Sequence, residues 1–146
     1  MRIFFRSVGF LLVLAGVAKL QAASAEARVL GEYDPLFHFR LRLLMSIVGL
    51  MELVVAWVLF SNAIAPSKKA ALTLWLGGCF AAYHFGLSEI GFHGYCACLG
   101  NIIATVGISN NAASKIMNGI VLYMLTGGIL MLLLKWRRQK SLKSST

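Results

Sequence analysis

Charged residues are scarce in this sequence. Only 13% of its 146 residues are charged, about half of what a soluble domain carries. Hydrophobic residues make up 59% of the chain, and the mean hydropathy is +0.78. This composition argues against an ordinary soluble domain. It predicts one integral membrane domain spanning residues 1–146.

Acidic residues are scarcer still, with five Asp and Glu against fourteen Lys and Arg and a formal charge of +9. An excess of basic residues of this size also occurs in nucleic-acid-binding proteins, but no RNA- or DNA-binding module pattern is visible. The basic residues instead cluster at the chain ends and in one short loop, as the positive-inside rule requires. We therefore expect the lipid bilayer as a partner and no nucleic acid.

The sequence also lacks internal repeats and the period-2 alternation of a membrane barrel strand. Four apolar runs are each close to the roughly 20 residues needed to cross a bilayer core. Backbone that faces lipid must satisfy its own hydrogen bonds, so the runs should be helices. The predicted fold is an all-α bundle of four transmembrane helices at about residues 4–22, 43–61, 70–87 and 112–134.

The orientation of the bundle follows from its basic residues. With four spans, nine of the fourteen Lys and Arg fall on one side. Four of the five acidic residues fall on the other side. We therefore expect both termini in the cytoplasm, a cytoplasmic tail at 135–146, and outer loops at 23–42 and 88–111. In a bacterium this is the inner membrane with its outer loops in the periplasm, where disulfides persist. The nine basic residues are Arg2, Arg6, Lys68, Lys69, Lys135, Arg137, Arg138, Lys140 and Lys143.

Residues 1–25 also resemble a secretory signal peptide, with a basic start, an apolar middle and Ala23-Ser24-Ala25 as a cleavage site. Cleavage would leave three spans without changing the orientation of the rest. Lys19 interrupts the apolar run just before that site, which favours retention as the first helix.

Cysteine is rare, and two of the three cysteines stand one residue apart in GFHGYCACLGN, residues 91–101. A disulfide between Cys96 and Cys98 would close a small, strained and easily reduced ring. It would gain little loop-closure entropy, so exchange chemistry suits it better than a structural role. Gly94 and Gly100 supply backbone freedom, and a protonated His93 would stabilise a thiolate. The predicted catalytic residues are Cys96, Cys98 and His93.

Other interpretations of the thiols stay open. Cys96 and Cys98 could be two small buried residues, or they could join His84 and His93 in a tetrahedral zinc or a copper site. The spacing CxC is a less common metal pattern than CxxC, so no metal is assigned. Cys79, near the middle of the third span, is expected to be a packing residue, with a resolving-thiol role as the less favoured alternative.

Glu52 is the only acidic residue inside a predicted span. An ionisable residue there is costly and usually faces the bundle interior with a partner. Lys19, toward the outer end of the first helix, is the obvious partner because its long side chain can reach inward. We favour an ion pair that fixes the first helix against the second over a proton path to a redox centre.

Three stretches together resemble the MauE/DoxX-like membrane protein family: LAGVAKL (14–20), GLMELVVAWVLF (49–60) and CACLGN (96–101). The cysteines point to the MauE-type, redox-associated branch, because DoxX-type members often lack them. The resemblance implies a bundle related in architecture to vitamin K epoxide reductase and DsbB. It also implies that Cys96 and Cys98 exchange disulfides and that Lys19 and Glu52 are the intramembrane charges of the family.

By family architecture alone, the resemblance further implies a membrane quinone as cofactor and a thioredoxin-like periplasmic partner. Two features depart from the pattern. Leu99 stands where the family often has Phe, and the chain has no second cysteine pair, so a partner would have to supply one. The predicted function is thiol–disulfide redox support for an extracytoplasmic protein. The alternatives are a non-enzymatic membrane subunit and a metal-handling membrane protein.

Overall fold

The computed structural model describes residues 2–24, 33–91 and 110–143, and these form four α-helices. All four helices contain a segment long and apolar enough to cross a membrane. The predicted all-α architecture of four helices is therefore confirmed for the described residues, and each helix qualifies as a candidate membrane span by its length and composition. The helices are α1 (Arg2–Ser24), α2 (Leu41–Phe60), α3 (Pro66–Glu89) and α4 (Asn110–Lys143).

All four helices begin before their predicted first residue, and the largest extensions are at the start of α3 and the end of α4. The third run predicts a start at residue 70, whereas α3 begins at Pro66, because proline is favoured in the first turn, where its missing N–H costs no hydrogen bond. The fourth helix continues into the predicted tail as far as Lys143. Basic side chains are favourable at that end, since the C-terminus of a helix carries a partial negative charge.

Helices α1 and α2 run antiparallel and approach each other closely at two glycines. A Cβ atom added at Gly16 would lie 2.9 Å from the carbonyl oxygen of Gly49, and one added at Gly49 would lie 3.0 Å from that of Gly16. Small residues at such a crossing allow two membrane helices to pack backbone against backbone. Of the described helices, α1 and α2 form the most extensively packed pair.

Helices α3 and α4 form a second antiparallel pair. A Cβ atom at Gly77 would meet Leu125 at 3.3 Å, and one at Gly128 would meet Leu74 at 2.6 Å. Contact between α2 and α3 is much sparser than within either pair. The main buried cluster draws on all four helices, and its members include Phe5, Val8, Leu12, Val55, Ala56, Leu59, Leu76, Phe80, Val121 and Met124.

The first turns of α1 help to join the two pairs. The Phe4 ring meets the Tyr123 ring edge to face at 5.3 Å between centroids, and the hydroxyl oxygens of Ser7 and Tyr123 are 2.8 Å apart. Lys69 stabilises the α2–α3 turn, because its buried ammonium group donates hydrogen bonds to the carbonyl oxygens of Leu59 and Ser61. These carbonyls lie at the end of α2, where the helix supplies no further donors.

We expect Gly16→Ala to destabilise the bundle, because the new methyl group would force α1 and α2 apart. Overpacking of this kind costs about 1–3 kcal/mol. Thermal unfolding of the purified protein in detergent would measure the loss. Gly78→Ala is the matched control, since nothing lies within 4 Å of a Cβ atom there. Equal stability of the two variants would contradict the close crossing.

Candidate functional site

The predicted catalytic residues Cys96, Cys98 and His93 lie outside the described residues. The described chain stops at Gly91, two residues beyond the end of α3, and resumes at Asn110 with α4. The remaining predicted site residues, Lys19 and Glu52, are described, and the structure brings them together.

Lys19 on α1 and Glu52 on α2 form a buried ion pair. The Lys19 Nζ donates to Glu52 Oε1 at 2.6 Å, and the two side chains are 3% and 0% exposed. Buried charges require a partner. The sequence predicts these two residues as partners from their positions on the predicted spans. The contact links α1 to α2 about one helical turn from the Gly16–Gly49 crossing.

The pair has further bonding capacity. Glu52 Oε2 is buried and has no hydrogen-bond partner among the described residues. The Lys19 ammonium carries three N–H donors, and the bond to Glu52 uses one. Its nitrogen also lies 5.7 Å from the centre of the Phe80 ring on α3, within range of a cation–π interaction. Lys19 therefore connects the α1–α2 pair to the second pair of helices.

A cavity of about 210 Å³ lies between α2 and α3, beside Lys19. A cavity of about 150 Å³ is sufficient to bind benzene in another protein, so this one has room for a single-ring molecule. Among the described residues, Lys19 is the only charged one in a wall that is otherwise mostly apolar. Such a site favours a small apolar molecule carrying an oxygen that accepts a hydrogen bond. The wall is formed by Lys19, Phe37, Leu41, Leu44, Met45, Val48, Met51, Cys79, Phe80 and Tyr83.

Cys79 is not the enclosed packing residue that its mid-span position predicts. Its side chain is exposed and lines the cavity together with Lys19. The helical spacing of Cys79 and Tyr83, four residues apart, places both on one face of α3. Hydropathy alone could not reveal this, because a half-open gap between helices is lined by the same residue types as a closed core.

A turn at residues 33–40 covers the cavity. The Oδ1 atom of the buried Asp34 accepts hydrogen bonds from the backbone N–H groups of Leu36 and Phe37, each at 2.9 Å, as in an Asx-turn. Its Oδ2 accepts from the Tyr83 hydroxyl at 2.6 Å. The Phe37 ring, in the cavity wall, stacks on the Tyr83 ring with centroids 6.0 Å apart. Asp34 and Tyr83 were missed as site residues, although Asp34-Pro35 is a turn signal in the sequence.

The metal-binding hypothesis gains no further ligands from the described part of the chain. No three His, Cys, Asp or Glu side chains converge there. His84 faces the Tyr83 ring, with 6.3 Å between centroids. Its predicted co-ligands His93, Cys96 and Cys98 lie outside the described residues.

Comparison with protein-family models, curated proteins and solved structures finds no match to this chain. The resemblance to the MauE/DoxX-like family therefore stays a prediction that rests on the three motifs.

We expect Lys19→Met to destabilise the bundle by about 3–5 kcal/mol, because it leaves the Glu52 carboxylate buried without its partner. The double variant Lys19→Met with Glu52→Leu should recover most of the loss, since it removes both charges. Unfolding of both variants in mixed micelles measures the two effects. A double variant as unstable as the single one would mean that the charges do not act as a pair.

Proposed function

We propose that this chain is a thiol–disulfide redox protein of a bacterial inner membrane. Cys96 and Cys98 would exchange disulfides with an extracytoplasmic partner protein of the thioredoxin-like class. The proposal combines the CxC pair with one structural observation. The cavity beside Lys19 and Cys79 lies in the half of the bundle where α3 ends, and the CxC pair follows α3 in the sequence.

Chain length supports a link between the cysteine pair and this end of the bundle. Cys96 is five positions after Gly91, and an extended chain spans at most about 3.6 Å per residue. Chain length therefore limits Cys96 to within about 18 Å of Gly91, two residues after the end of α3. The turn that joins Asp34 to Tyr83 lies at the same end, so a partner approaching the thiols would also meet this turn.

The exchange step needs no group beyond the thiols and the partner. A thiolate at Cys96 or Cys98 attacks a sulfur of the partner disulfide and forms a mixed disulfide, and the partner's other sulfur leaves as a thiolate. The second cysteine then attacks the mixed disulfide, which releases the reduced partner and leaves Cys96 and Cys98 oxidised. In the opposite direction the same steps transfer the disulfide to the partner. His93 would stabilise the attacking thiolate when protonated.

The cavity fits the head group of a quinone, the cofactor that the family architecture implies. Lys19 would donate a hydrogen bond to one quinone oxygen, and the aromatic side chains of Phe37 and Phe80 would enclose the ring. When bound, a quinone supplies an acceptor for the two electrons released as the cysteine pair is oxidised. Cys79 shares this wall but lies ten residues before Glu89, about 15 Å along the helix, so we assign it no exchange role.

The helix packing supports the proposed orientation. Because α1 is antiparallel to α2 and α3 is antiparallel to α4, the start of α1, the α2–α3 turn and the end of α4 belong to one end of the bundle. That end carries the nine basic residues of the predicted cytoplasmic side. The positive-inside rule then supports cytoplasmic termini and a periplasmic CxC segment.

A second candidate function is a non-enzymatic membrane subunit that stabilises a neighbouring complex. The observation that favours it is the burial of Lys19 and Glu52, which suits a purely structural ion pair. Under this alternative, Cys96→Ser and Cys98→Ser variants would keep full function, whereas Lys19→Ala or Glu52→Ala would lose assembly.

Labelling in intact cells tests the redox proposal. We expect a membrane-impermeant maleimide to modify Cys96 and Cys98 only after mild reduction, because the pair would be an outward-facing labile disulfide. The mass of the purified protein should then increase by two labels. In Cys96→Ser, the single remaining thiol should capture a partner as a mixed disulfide.

Cys79→Ser is the matched control, because Cys79 lies within a membrane-spanning helix and should not react with an impermeant reagent. Its labelling should equal that of the wild type. Failure of Cys96 and Cys98 to react even after reduction would contradict the proposed orientation or the accessibility of the pair. Free thiols before reduction would contradict a resting disulfide.

A further inference from the structure

A second cavity, of about 180 Å³, lies at the end of the bundle where α1 begins and α2 ends. The first two turns of α1, the end of α2 and the α2–α3 turn enclose it. Three of its lining residues are basic: Arg2, Arg6 and Lys69. Neither the redox proposal nor the Lys19–Glu52 pair gives this cavity a role.

The charge of this cavity is not balanced by the described residues. No carboxylate is among the lining residues that the structure describes. Arg2 and Arg6 are four residues apart and therefore neighbours on one face of α1, and no ion pair or hydrogen bond joins either guanidinium to another residue of the described structure. Like charges at this spacing repel each other, so an anion bound between them would be favoured.

Lys69 is held in place independently of any ligand. The Lys69 residue is 8% exposed, and its ammonium group donates to the carbonyl oxygens of Leu59 and Ser61. An ammonium group has three N–H donors, so one remains after these two bonds. The cavity therefore combines one fixed cation with two longer side chains that can close around an anion.

The position of the cavity indicates which anion it would hold. Arg2 is the first residue of α1, and Arg6 lies one turn further in, about 6 Å along the axis. The candidate membrane span of α1 begins at Arg2, so these residues would lie where lipid phosphates and glycerol groups meet the end of the helix. Apolar side chains complete the wall beside the cations, among them Phe5, Phe60 and Ile64, and these suit the upper part of an acyl chain.

We propose that this cavity binds the phosphate head group of an anionic membrane lipid. Guanidinium groups match phosphate oxygens with paired hydrogen bonds, and basic pockets between membrane helices are typical sites for anionic head groups. The ligand lies on the membrane surface where α1 begins. It bridges α1 to the α2–α3 turn and neutralises the repulsion between Arg2 and Arg6.

Native mass spectrometry of the full-length protein tests the proposal. The protein is released from micelles containing equal amounts of phosphatidylglycerol and phosphatidylcholine, and the ratio of the two bound lipids is measured. We expect the wild type to prefer phosphatidylglycerol. The double variant Arg2→Gln with Arg6→Gln should lower that preference by about tenfold or more, since each basic residue near the surface contributes about 1 kcal/mol of attraction.

The matched control is Lys135→Gln with Arg137→Gln, which removes two exposed cations from α4 that do not line the cavity. Both double variants lower the formal charge equally, so a site-specific effect appears only in the first. Thermal unfolding of both checks that they remain folded. Equal loss of preference in the two variants would overturn the site, because the attraction would then be diffuse.

A second experiment, in which inorganic phosphate is added to the micelles, distinguishes a lipid site from a site for free phosphate. We expect millimolar inorganic phosphate to leave the bound phosphatidylglycerol in place, because the free ion lacks the acyl chain that contacts the apolar wall. Displacement of the lipid by phosphate at that concentration would overturn the assignment to lipid. A wild type that binds both lipids equally would overturn the proposal altogether.

Discussion

The ion pair between Lys19 and Glu52 is the interaction on which the described bundle depends. Inside a membrane a single lysine or glutamate is expensive to bury, and each is tolerated here because the other lies 2.6 Å away. This requirement fixes the register of α1 against α2. The Gly16–Gly49 crossing makes it possible, because the backbones come close enough for the ammonium to reach the carboxylate.

The rest of the described packing depends on contacts between α1 and the helices α3 and α4. Lys19 also faces the Phe80 ring of α3, while near the opposite end of α1 the Phe4 ring packs against Tyr123 of α4. Sparse packing between α2 and α3 leaves the cavity beside Lys19, and the Asp34 turn covers it. The two ends of the bundle therefore differ chemically: an apolar cavity lies in the half where α3 ends, and a cationic cavity lies where α1 begins.

Hydropathy and the few intramembrane charges were sufficient to predict the four helices and to single out Lys19 and Glu52. These features depend on local sequence, because each run must satisfy its own backbone and an isolated charge must find a partner. The bond from Tyr83 to Asp34 joins residues 49 positions apart, and no local pattern specifies it. The exposure of Cys79 and the bonds from Lys69 to the end of α2 likewise depend on how whole helices pack.

A distance measured in lipid bilayers would test the central pairing most directly. Solid-state NMR on protein with ¹⁵N-labelled lysine ammonium and ¹³C-labelled glutamate carboxyl groups reports the dipolar coupling between the two nuclei. We expect a strong coupling, consistent with the N–O contact of 2.6 Å, that disappears in Lys19→Met but persists when the exposed Lys68 is replaced by Met. Absence of a strong coupling in the wild type would contradict the buried pair and the helix register built on it.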